Sequence, residues 1–268
     1  MTEAEILFSE LLGCDRLSLY LNQGIYLDKD QAVFLSEALK RRAGGEPLYY
    51  ILGRTEFMGL EFFLTKDVLI PRPETEIVVQ SGNKYIAAIK INSRPLHILD
   101  IGTGSGCIAV SLANLFPDAV IDATDVSEEA LKVARKNAQL NGVNINFIES
   151  DLFLSPKLSI SGYDLIITNP PYVETEEIKD LQPEVRREPV IALDGGRDGL
   201  AFYRRIIAQS PGYLKKDGFL IMEMGFNQSK DIQDLIKINS KFDIIELVRD
   251  YNNIERVVVT KKSKKRYG

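Results

Sequence analysis

The chain has 268 residues, enough for one large domain or two unequal ones. Hydrophobic residues make up 45% of it and charged residues 26%, which excludes a largely disordered chain because there is ample apolar surface for a core. The formal net charge is −5, and only the tail Lys261–Arg266 is strongly basic, so we expect no basic duplex-binding face and a solvated, frayed tail.

Apolar runs, cysteines and histidine bear on compartment and metal binding. No stretch reaches the length of about 18 apolar residues that a membrane helix needs, and Met1–Ser9 lacks the layout of a signal peptide. Cys14 and Cys107 lie far apart and His97 is the single histidine, so we expect neither a disulfide framework nor a metal site. The simplest compartment is the cytoplasm. We expect His97, inside a strand, and Cys107, at the start of a helix, to be packed core residues.

The first 55 residues predict a small helical bundle. Apolar residues recur at helical spacing in two groups: Ile6, Leu7, Leu11 and Leu12, then Ala32, Leu35, Ala38 and Leu39. Asp28 and Gln31 form a capping pair that predicts the start of the second helix, and Gly44-Gly45 with Pro47 predicts its end. A short apolar turn, Leu48–Leu52, follows.

A change in residue composition predicts a β-hairpin between the helical bundle and the rest of the chain. Glu56–Ile70 is rich in strand formers and is broken at Gly59. Pro71-Arg72-Pro73 predicts an extended connector. We therefore divide the chain into residues 1–55, a helical unit; 56–75, a β-hairpin and proline-rich linker; and 76–268, an α/β domain.

From Thr75 onward, predicted helices alternate with apolar strands. The predicted helices are Ile77–Ile91, Cys107–Phe116, Glu128–Leu140, Ala201–Ser210 and Gln228–Ile238. The seven predicted strands are Leu96–Ile101, Val120–Thr124, Ile145–Ile148, Asp164–Thr168, Phe219–Met224, Phe242–Val248 and Glu255–Thr260. This alternation predicts an α/β fold with a Rossmann-like, mainly parallel sheet that ends in an antiparallel hairpin. Such sheets bind ligands beyond the carboxyl ends of their strands.

A glycine-rich loop, Asp100-Ile101-Gly102-Thr103-Gly104-Ser105-Gly106, joins the first of these strands to a helix. Glycines allow a tight turn and let a ligand approach the main chain, although a plain turn would use them too. A dinucleotide fingerprint counted from Gly102 fails at Cys107, whereas one counted from Gly104 passes at Gly106 and Ala109. The loop alone leaves the ligand open.

Two acidic residues at later strand ends extend this candidate site. Asp125, 21 residues after Gly104, could accept hydrogen bonds from both hydroxyls of a ribose or could cap the next helix. Asp151-Leu152 ends the third strand, where an adenine ring would lie, or Asp151 is an ordinary strand-end acid. Loop and carboxylate together favour a nucleoside ligand without settling which one.

The fourth strand runs into Asn169-Pro170-Pro171-Tyr172. Two prolines make this turn stiff, so the Asn169 side-chain oxygen and the Pro170 carbonyl point in fixed directions. Two fixed acceptors suit a planar NH2 group, and Tyr172 could cover its flat face. A simple proline stop after the strand is the alternative.

These motifs resemble the class I S-adenosylmethionine-dependent methyltransferases that act on NH2 groups. Over nearly the whole chain, the sequence is similar to the HemK-type (PrmC-like) peptide chain release factor glutamine methyltransferases. The stretches that carry this narrower resemblance are Glu46–Gly53, Glu56-Phe57 with Gly59-Leu60, Leu69–Glu76 and Asp194–Leu200. Some members of the family carry an aromatic residue where this chain has Leu152.

The resemblance implies a cofactor, a substrate and roles for residues. The cofactor would be S-adenosylmethionine, bound by Gly102, Thr103, Gly104, Ser105, Gly106, Asp125, Asp151, Leu152 and Asn169. The substrate would be the glutamine amide in the Gly-Gly-Gln loop of release factors, bound by Asn169, Pro170, Pro171 and Tyr172, with Asn169 and Pro170 catalytic. Residues 1–55 would contact the release factor. We expect no metal and no membrane partner, and no nucleic acid as direct substrate.

The expected chemistry is an in-line displacement driven mainly by positioning, which can contribute about 7–11 kcal/mol. Glu74, Glu76 and Glu223 are candidates for orienting or shuttling roles, or for salt bridges and caps. Three other functions stay open: methylation of NH2 groups in ribosomal RNA or DNA, methylation of a ribosomal-protein glutamine, and non-catalytic cofactor binding.

Overall fold

A computed structural model describes residues 2–21, 24, 26–87 and 95–264. The N-terminal region contains four helices: α1 (Glu3–Leu12), α2 (Arg16–Leu21), α3 (Lys29–Ala43) and α4 (Leu48–Leu52). The predicted capping pair is confirmed, because the Asp28 side chain accepts from Gln31 N and the Gln31 side chain accepts from Asp28 N. Leu7, Ala38, Leu48 and Ile51 form a small core of this region.

The predicted apolar side of α3 was wrong in part. Ala38 is buried and Leu35 is half-buried, but Ala32 and Leu39 are exposed. Val33 and Phe34 of α3 are exposed as well. On α2 the exposed residues Leu17, Tyr20 and Leu21 stand at positions i, i+3 and i+4, so they share one side of the helix, and we call these three the N-terminal apolar face.

The hairpin consists of β1 (Arg54–Phe57) and β2 (Leu60–Phe63), paired antiparallel. Its two-residue turn, Met58-Gly59, has positive φ at both positions, as tight hairpins require. The predicted hairpin extended to Ile70, whereas the chain from Leu64 onward leaves the strand. In this later segment Leu64, Val68 and Ile70 pack against Ala130 and Val133.

The main sheet has seven strands in the order β5-β4-β3-β6-β7-β9-β8. The strands are β3 (His97–Ile101), β4 (Val120–Asp125), β5 (Asn146–Glu149), β6 (Tyr163–Thr168), β7 (Leu214–Glu223), β8 (Phe242–Arg249) and β9 (Glu255–Lys262). Neighbouring strands from β5 to β7 are parallel, and β9 is antiparallel to both β7 and β8. The predicted mainly parallel sheet with a C-terminal antiparallel hairpin is confirmed.

Helices cover both faces of this sheet. They are α5 (Pro73–Ala87), α6 (Cys107–Leu115), α7 (Glu128–Leu140), α8 (Ala201–Tyr213) and α9 (Ser229–Asn239). One apolar core joins the sheet to α5 and α6, and a second joins it to α8 and α9. Three 3-10 turns, Thr175–Asp180, Val185–Arg187 and Val190–Ala192, lie between β6 and α8. None of the helices within the described ranges has the length and apolarity needed to cross a bilayer.

The two largest shifts of a predicted boundary in the α/β region are at the starts of α5 and β7. The helix predicted for Ile77–Ile91 begins earlier, at Pro73, because proline is favoured in the first turn of a helix. Its predicted residues 88–91 lie outside the described residues. The proposed division at residue 75/76 therefore falls within α5. Strand β7 begins at Leu214, ahead of the predicted Phe219, directly after α8.

The basic tail and His97 also differ from expectation. Lys261 and Lys262 belong to β9, and Lys262 Nζ donates to the carbonyl oxygens of Pro211 at 2.6 Å and Leu214 at 2.7 Å. The start of the tail is therefore folded, and its residues 265–268 lie outside the described residues. His97 is half-buried rather than packed in the core, because it opens β3 at the end of the sheet. Cys107 is buried, as predicted.

Candidate functional site

The strand order reverses between β3 and β6, and the carboxyl ends of β3, β4, β5 and β6 meet at this point. A cleft with an empty volume of about 760 Å³ lies there, as the rule for open α/β sheets predicts. It brings together eight of the predicted site residues: Gly102, Gly104, Asp125, Asp151, Leu152, Asn169, Pro170 and Pro171. Thr103, Ser105, Gly106 and Tyr172 are not part of its lining.

The glycines of the loop divide into two roles. Gly102 has φ 68° and Gly104 has φ 54°, and a Cβ at either position would have no neighbour within 4 Å. Both therefore present bare backbone at the cleft. Gly106 is different, since a Cβ there would lie 3.2 Å from the Ala134 Cβ. Gly106 permits close packing of α6 against α7.

Thr103 and Ser105 hold the loop in place rather than line the cleft. Thr103 N donates to Thr124 O at 2.8 Å, and Thr103 Oγ1 donates to Asp100 Oδ2 at 2.7 Å. The Ser105 carbonyl accepts from Asn137 Nδ2 at 2.8 Å. Asp100 is fully buried, and burial raises its pKa to about 7. The loop is thus fixed from beneath by buried polar groups.

Asp125 lies at the end of β4 with its carboxylate tied to two backbone amides. Oδ2 accepts from Gly104 N and Oδ1 accepts from Ser127 N, each at 2.9 Å. The helix cap is Ser127, whose hydroxyl accepts from Ala130 N, so the alternative of Asp125 as the cap of α7 was wrong. Burial raises the pKa of Asp125. Because each carboxylate oxygen has a further lone pair and the residue lines the cleft, Asp125 can accept hydrogen bonds from a diol.

Asp151 and Leu152 form the wall beyond β5. Asp151 Oδ2 accepts from Arg205 Nη2 of α8 at 2.7 Å. Leu152 has φ 52°, a left-handed conformation that costs a residue with a side chain about 1–2 kcal/mol. The Ser150 hydroxyl donates to the Leu152 carbonyl at 2.9 Å and helps to hold this conformation. Such strain at a cleft wall is typical of a ligand site.

The turn after β6 carries Asn169 at the cleft and directs Tyr172 away from it. The Asn169 Nδ2 donates to the Thr75 Oγ1 at 3.1 Å, and the Thr75 hydroxyl donates to Glu223 Oε2 at 2.7 Å. Pro170 is buried and lines the cleft. Tyr172 packs against the core formed with α8 and α9, and burial raises its pKa to about 12. Its expected stacking on the substrate therefore stays a prediction.

Part of the cleft wall was missed by the sequence reasoning. Asp67, Val68 and Leu69, from the segment after the hairpin, close one side of the cleft. Ile191 and Phe202 lie on another side. The stretch Leu69–Glu76, which carries part of the family resemblance, begins at this wall of the cleft. Within the described ranges, no three His, Cys, Asp or Glu side chains are grouped so that they could hold a metal ion.

These features fit an S-adenosyl nucleoside. Bare glycine backbone and the Asp125 carboxylate face one cleft, whose remaining lining is mostly apolar, with a minority of polar and acidic side chains. At the topological switch point of a mainly parallel sheet, with an Asn-Pro-Pro-Tyr turn at the neighbouring strand end, they define a class I methyltransferase.

Comparisons with known proteins agree with this class and narrow it. Residues 81–186 match the methyltransferase small domain family, and residues 1–53 match the PrmC N-terminal domain family. The release factor glutamine methyltransferase of Geobacter sulfurreducens is 41% identical over 257 residues, which cover 96% of this chain and 87% of the relative. The one from Bacillus subtilis is 37% identical over 257 residues, covering 95% and 89%. The chain belongs to the release factor glutamine methyltransferase family, and the resemblance seen in the sequence is confirmed.

Two solved structures show the same fold. A methyltransferase from Pyrococcus furiosus aligns with a TM-score of 0.56 at 16% identity, covering 85% of this chain and 98% of the other. A ribosomal protein L11 methylase from Lactobacillus delbrueckii subsp. bulgaricus aligns with a TM-score of 0.51 at 22% identity, covering 74% and 83%.

Proposed function

We propose that this protein transfers a methyl group from S-adenosylmethionine to the side-chain amide nitrogen of the glutamine in the Gly-Gly-Gln loop of peptide chain release factors. The observation that carries the proposal is the position of Asn169. Its side chain lines the cleft, and its Nδ2 is already engaged by Thr75, so its Oδ1 is available as an acceptor. An acceptor fixed in this way suits an incoming NH2 group.

The cofactor site is proposed to use the residues at the ends of β3, β4 and β5. Asp125 would accept the ribose hydroxyls, and Gly102 and Gly104 would let the main chain approach the ligand. Asp151 and Leu152 would border the adenine. When bound, S-adenosylmethionine supplies an electrophilic methyl group on its sulfonium.

The residues of the turn after β6 are proposed to orient the acceptor amide. Asn169 Oδ1 and the Pro170 carbonyl would each accept one of its N–H bonds, which fixes the direction of the nitrogen. The prolines hold both acceptors because their φ angles are locked. A displacement of about 1 Å can cost roughly a hundredfold in rate, so this orientation is the main task of the turn.

We propose that residues 1–55 contact the release factor through the N-terminal apolar face, with residues 56–75 as linker and 76–268 as the methyltransferase unit. Leu17, Tyr20 and Leu21 are 65%, 70% and 70% exposed. Clustered exposed apolar side chains of this kind mark protein–protein contact sites. A partner in translation termination would place the enzyme in the cytoplasm.

A comparison of methyl acceptors, each assayed separately, tests the proposed substrate. The purified protein is incubated with radiolabelled S-adenosylmethionine and, separately, with release factor, ribosomal proteins, ribosomal RNA and DNA. We expect label in the release factor alone, and none with Asn169→Ala. Label in RNA, in DNA or in a ribosomal protein, with none in the release factor, would contradict the proposal.

A substitution on the N-terminal apolar face tests the docking surface. Leu21→Glu is expected to raise the KM for release factor about tenfold, the effect of losing roughly 1.4 kcal/mol of binding, and to leave S-adenosylmethionine affinity unchanged. Ile238→Glu on α9, an exposed apolar position outside this face, is the matched control. Equal KM values for the two variants would remove the face from the interface.

A further inference from the structure

Two successive hydrogen bonds, which we call the relay, run from the cleft into the protein interior through Asn169, Thr75 and Glu223. Asn169 lies after β6, Thr75 in the first turn of α5 and Glu223 at the end of β7. Asn169 Nδ2 donates to Thr75 Oγ1 at 3.1 Å, and Thr75 Oγ1 donates to Glu223 Oε2 at 2.7 Å. Thr75 and Glu223 are each only 2% exposed. The two inner members are therefore shielded from water that could replace either bond.

When Glu223 is ionised, the donors and acceptors of the relay permit only one set of hydrogen-bond directions. A carboxylate only accepts, so the single hydroxyl hydrogen of Thr75 is donated to Glu223. The Thr75 oxygen then has only lone pairs to offer, and these accept from the Asn169 NH2 group. A flipped Asn169 would oppose oxygen to oxygen. The Asn169 Oδ1 is left for the cleft, and among the residues that the structure describes none donates a hydrogen bond to it.

We propose that Thr75 and Glu223 are positioning residues, which fix the Asn169 amide with its oxygen toward the acceptor nitrogen. The proposal rests on the proposed function, because it concerns the orientation of the group that would hold the glutamine. Neither residue touches the substrate. Their contribution is the direction of one acceptor oxygen.

The burial of Glu223 supports this role. A buried carboxylate carries a desolvation cost that a neutral residue would avoid, so fold stability alone does not explain its presence. The partner it contacts is a hydroxyl rather than a cation, since Thr75 is its hydrogen-bond donor. Burial raises the Glu223 pKa to about 7, which leaves a substantial fraction ionised in a neutral cell. Orientation of Asn169 through Thr75 supplies a reason for a carboxylate at this position.

Two substitutions at Thr75 separate its shape from its hydroxyl. Thr75→Val has nearly the same shape and no hydroxyl, and Thr75→Ser retains the hydroxyl. We expect Thr75→Val to lower kcat on release factor by about tenfold to a hundredfold, with the Kd for S-adenosylmethionine unchanged. Thr75→Ser should restore most of kcat. Equal kcat for wild type and Thr75→Val would overturn the relay and leave the proposed function intact.

The pH profile tests Glu223. Protonated Glu223 can donate to Thr75, which reverses the direction of both hydrogen bonds in the relay. The kcat of the wild type should therefore fall below about pH 7. Glu223→Gln should remove most of this fall on the acidic side of the profile. The titratable and charged groups around Glu223 are Glu74, Arg72, Arg256, Cys107, Tyr172 and Tyr203. Burial raises the pKa values of the cysteine and both tyrosines, so these three stay neutral near pH 7. Asp100 also titrates near pH 7 but is present in both proteins, so the difference between the two profiles reports on Glu223. Identical profiles would contradict the relay.

An NMR measurement on the full chain tests the relay without any substrate. The side-chain NH2 signals of Asn169, assigned by their loss in Asn169→Ala, should show slow hydrogen exchange in the wild type and fast exchange in Thr75→Val. The same spectra report whether each variant is folded. Unchanged exchange in Thr75→Val would overturn the relay even if the protein methylates nothing, which separates this failure from that of the proposed function.

Discussion

Asn137 fastens the hairpin to the methyltransferase fold, and its removal should be costly. The side chain, in α7, is fully buried. Its Oδ1 accepts from Phe63 N at 2.7 Å, and its Nδ2 donates to Phe63 O at 3.0 Å and to Ser105 O at 2.8 Å. It therefore continues the edge of β2 as a strand would and also supports the glycine loop.

Asn137→Ala leaves three backbone groups without this partner. A buried group that loses its hydrogen-bond partner costs about 1–3 kcal/mol. Some of these groups will find water, so we expect the free energy of unfolding to fall by roughly 3–5 kcal/mol, measured by urea denaturation of the full chain. The segment after the hairpin carries Asp67, Val68 and Leu69 into the cleft wall, so S-adenosylmethionine should also bind more weakly.

The matched control is Asn141→Ala, one turn further along the chain. Asn141 caps the end of α7, and its Nδ2 donates to Glu61 O of the same hairpin at 2.9 Å, an exposed bond, and to Asn137 O within the last turn at 2.9 Å. We expect a loss of about 1 kcal/mol or less, because water replaces an exposed partner. A loss for Asn137→Ala no larger than that for Asn141→Ala would refute the role given to Asn137.

Two further predictions concern the site. Asp125→Ala should weaken S-adenosylmethionine binding in calorimetry by roughly tenfold to a hundredfold, the effect of losing a charge-assisted contact of about 1.5–3 kcal/mol; unchanged affinity would remove Asp125 from the site. Burial raises the pKa of Glu223 from 4.5 to about 7, so the folded state holds this proton more tightly than the unfolded chain and stability falls as pH rises from about 5 to 8. The share of Glu223 is roughly 3 kcal/mol, at about 1.4 kcal/mol for each pKa unit, and urea denaturation of Glu223→Gln across this range should show a smaller fall.

The strands and the glycine loop could be predicted because their signals are local. Leu96–Ile101 is a mainly apolar run that ends at the glycine loop, and glycines are the residues that such a tight turn favours. The face of α3 could not be predicted in this way. Which of Ala32, Leu35, Ala38 and Leu39 is buried depends on how α1 and α4 pack against the helix, and only Ala38 is fully covered.

In the site, too, the residues with a local sequence signal could be predicted and those brought together by the fold could not. Asp125 ends β4 and Asn169 directly follows β6, so the rule for strand ends placed both at the cleft. Thr75 lies 94 residues from Asn169 and 148 from Glu223, and no periodicity links such positions. Glu223 was recognised as a candidate for orientation, but its partner could be identified only once the fold brought α5 beside β7.

Mass spectrometry of methylated release factor tests the central claim most directly. Purified release factor is treated with the enzyme and S-adenosylmethionine, and the peptide that contains Gly-Gly-Gln is fragmented. We predict one added methyl group, located on the side-chain amide nitrogen of the glutamine, and its absence when the enzyme carries Asn169→Ala. An unmodified glutamine after prolonged incubation with folded, cofactor-binding enzyme, or a methyl group on another residue, would contradict the account.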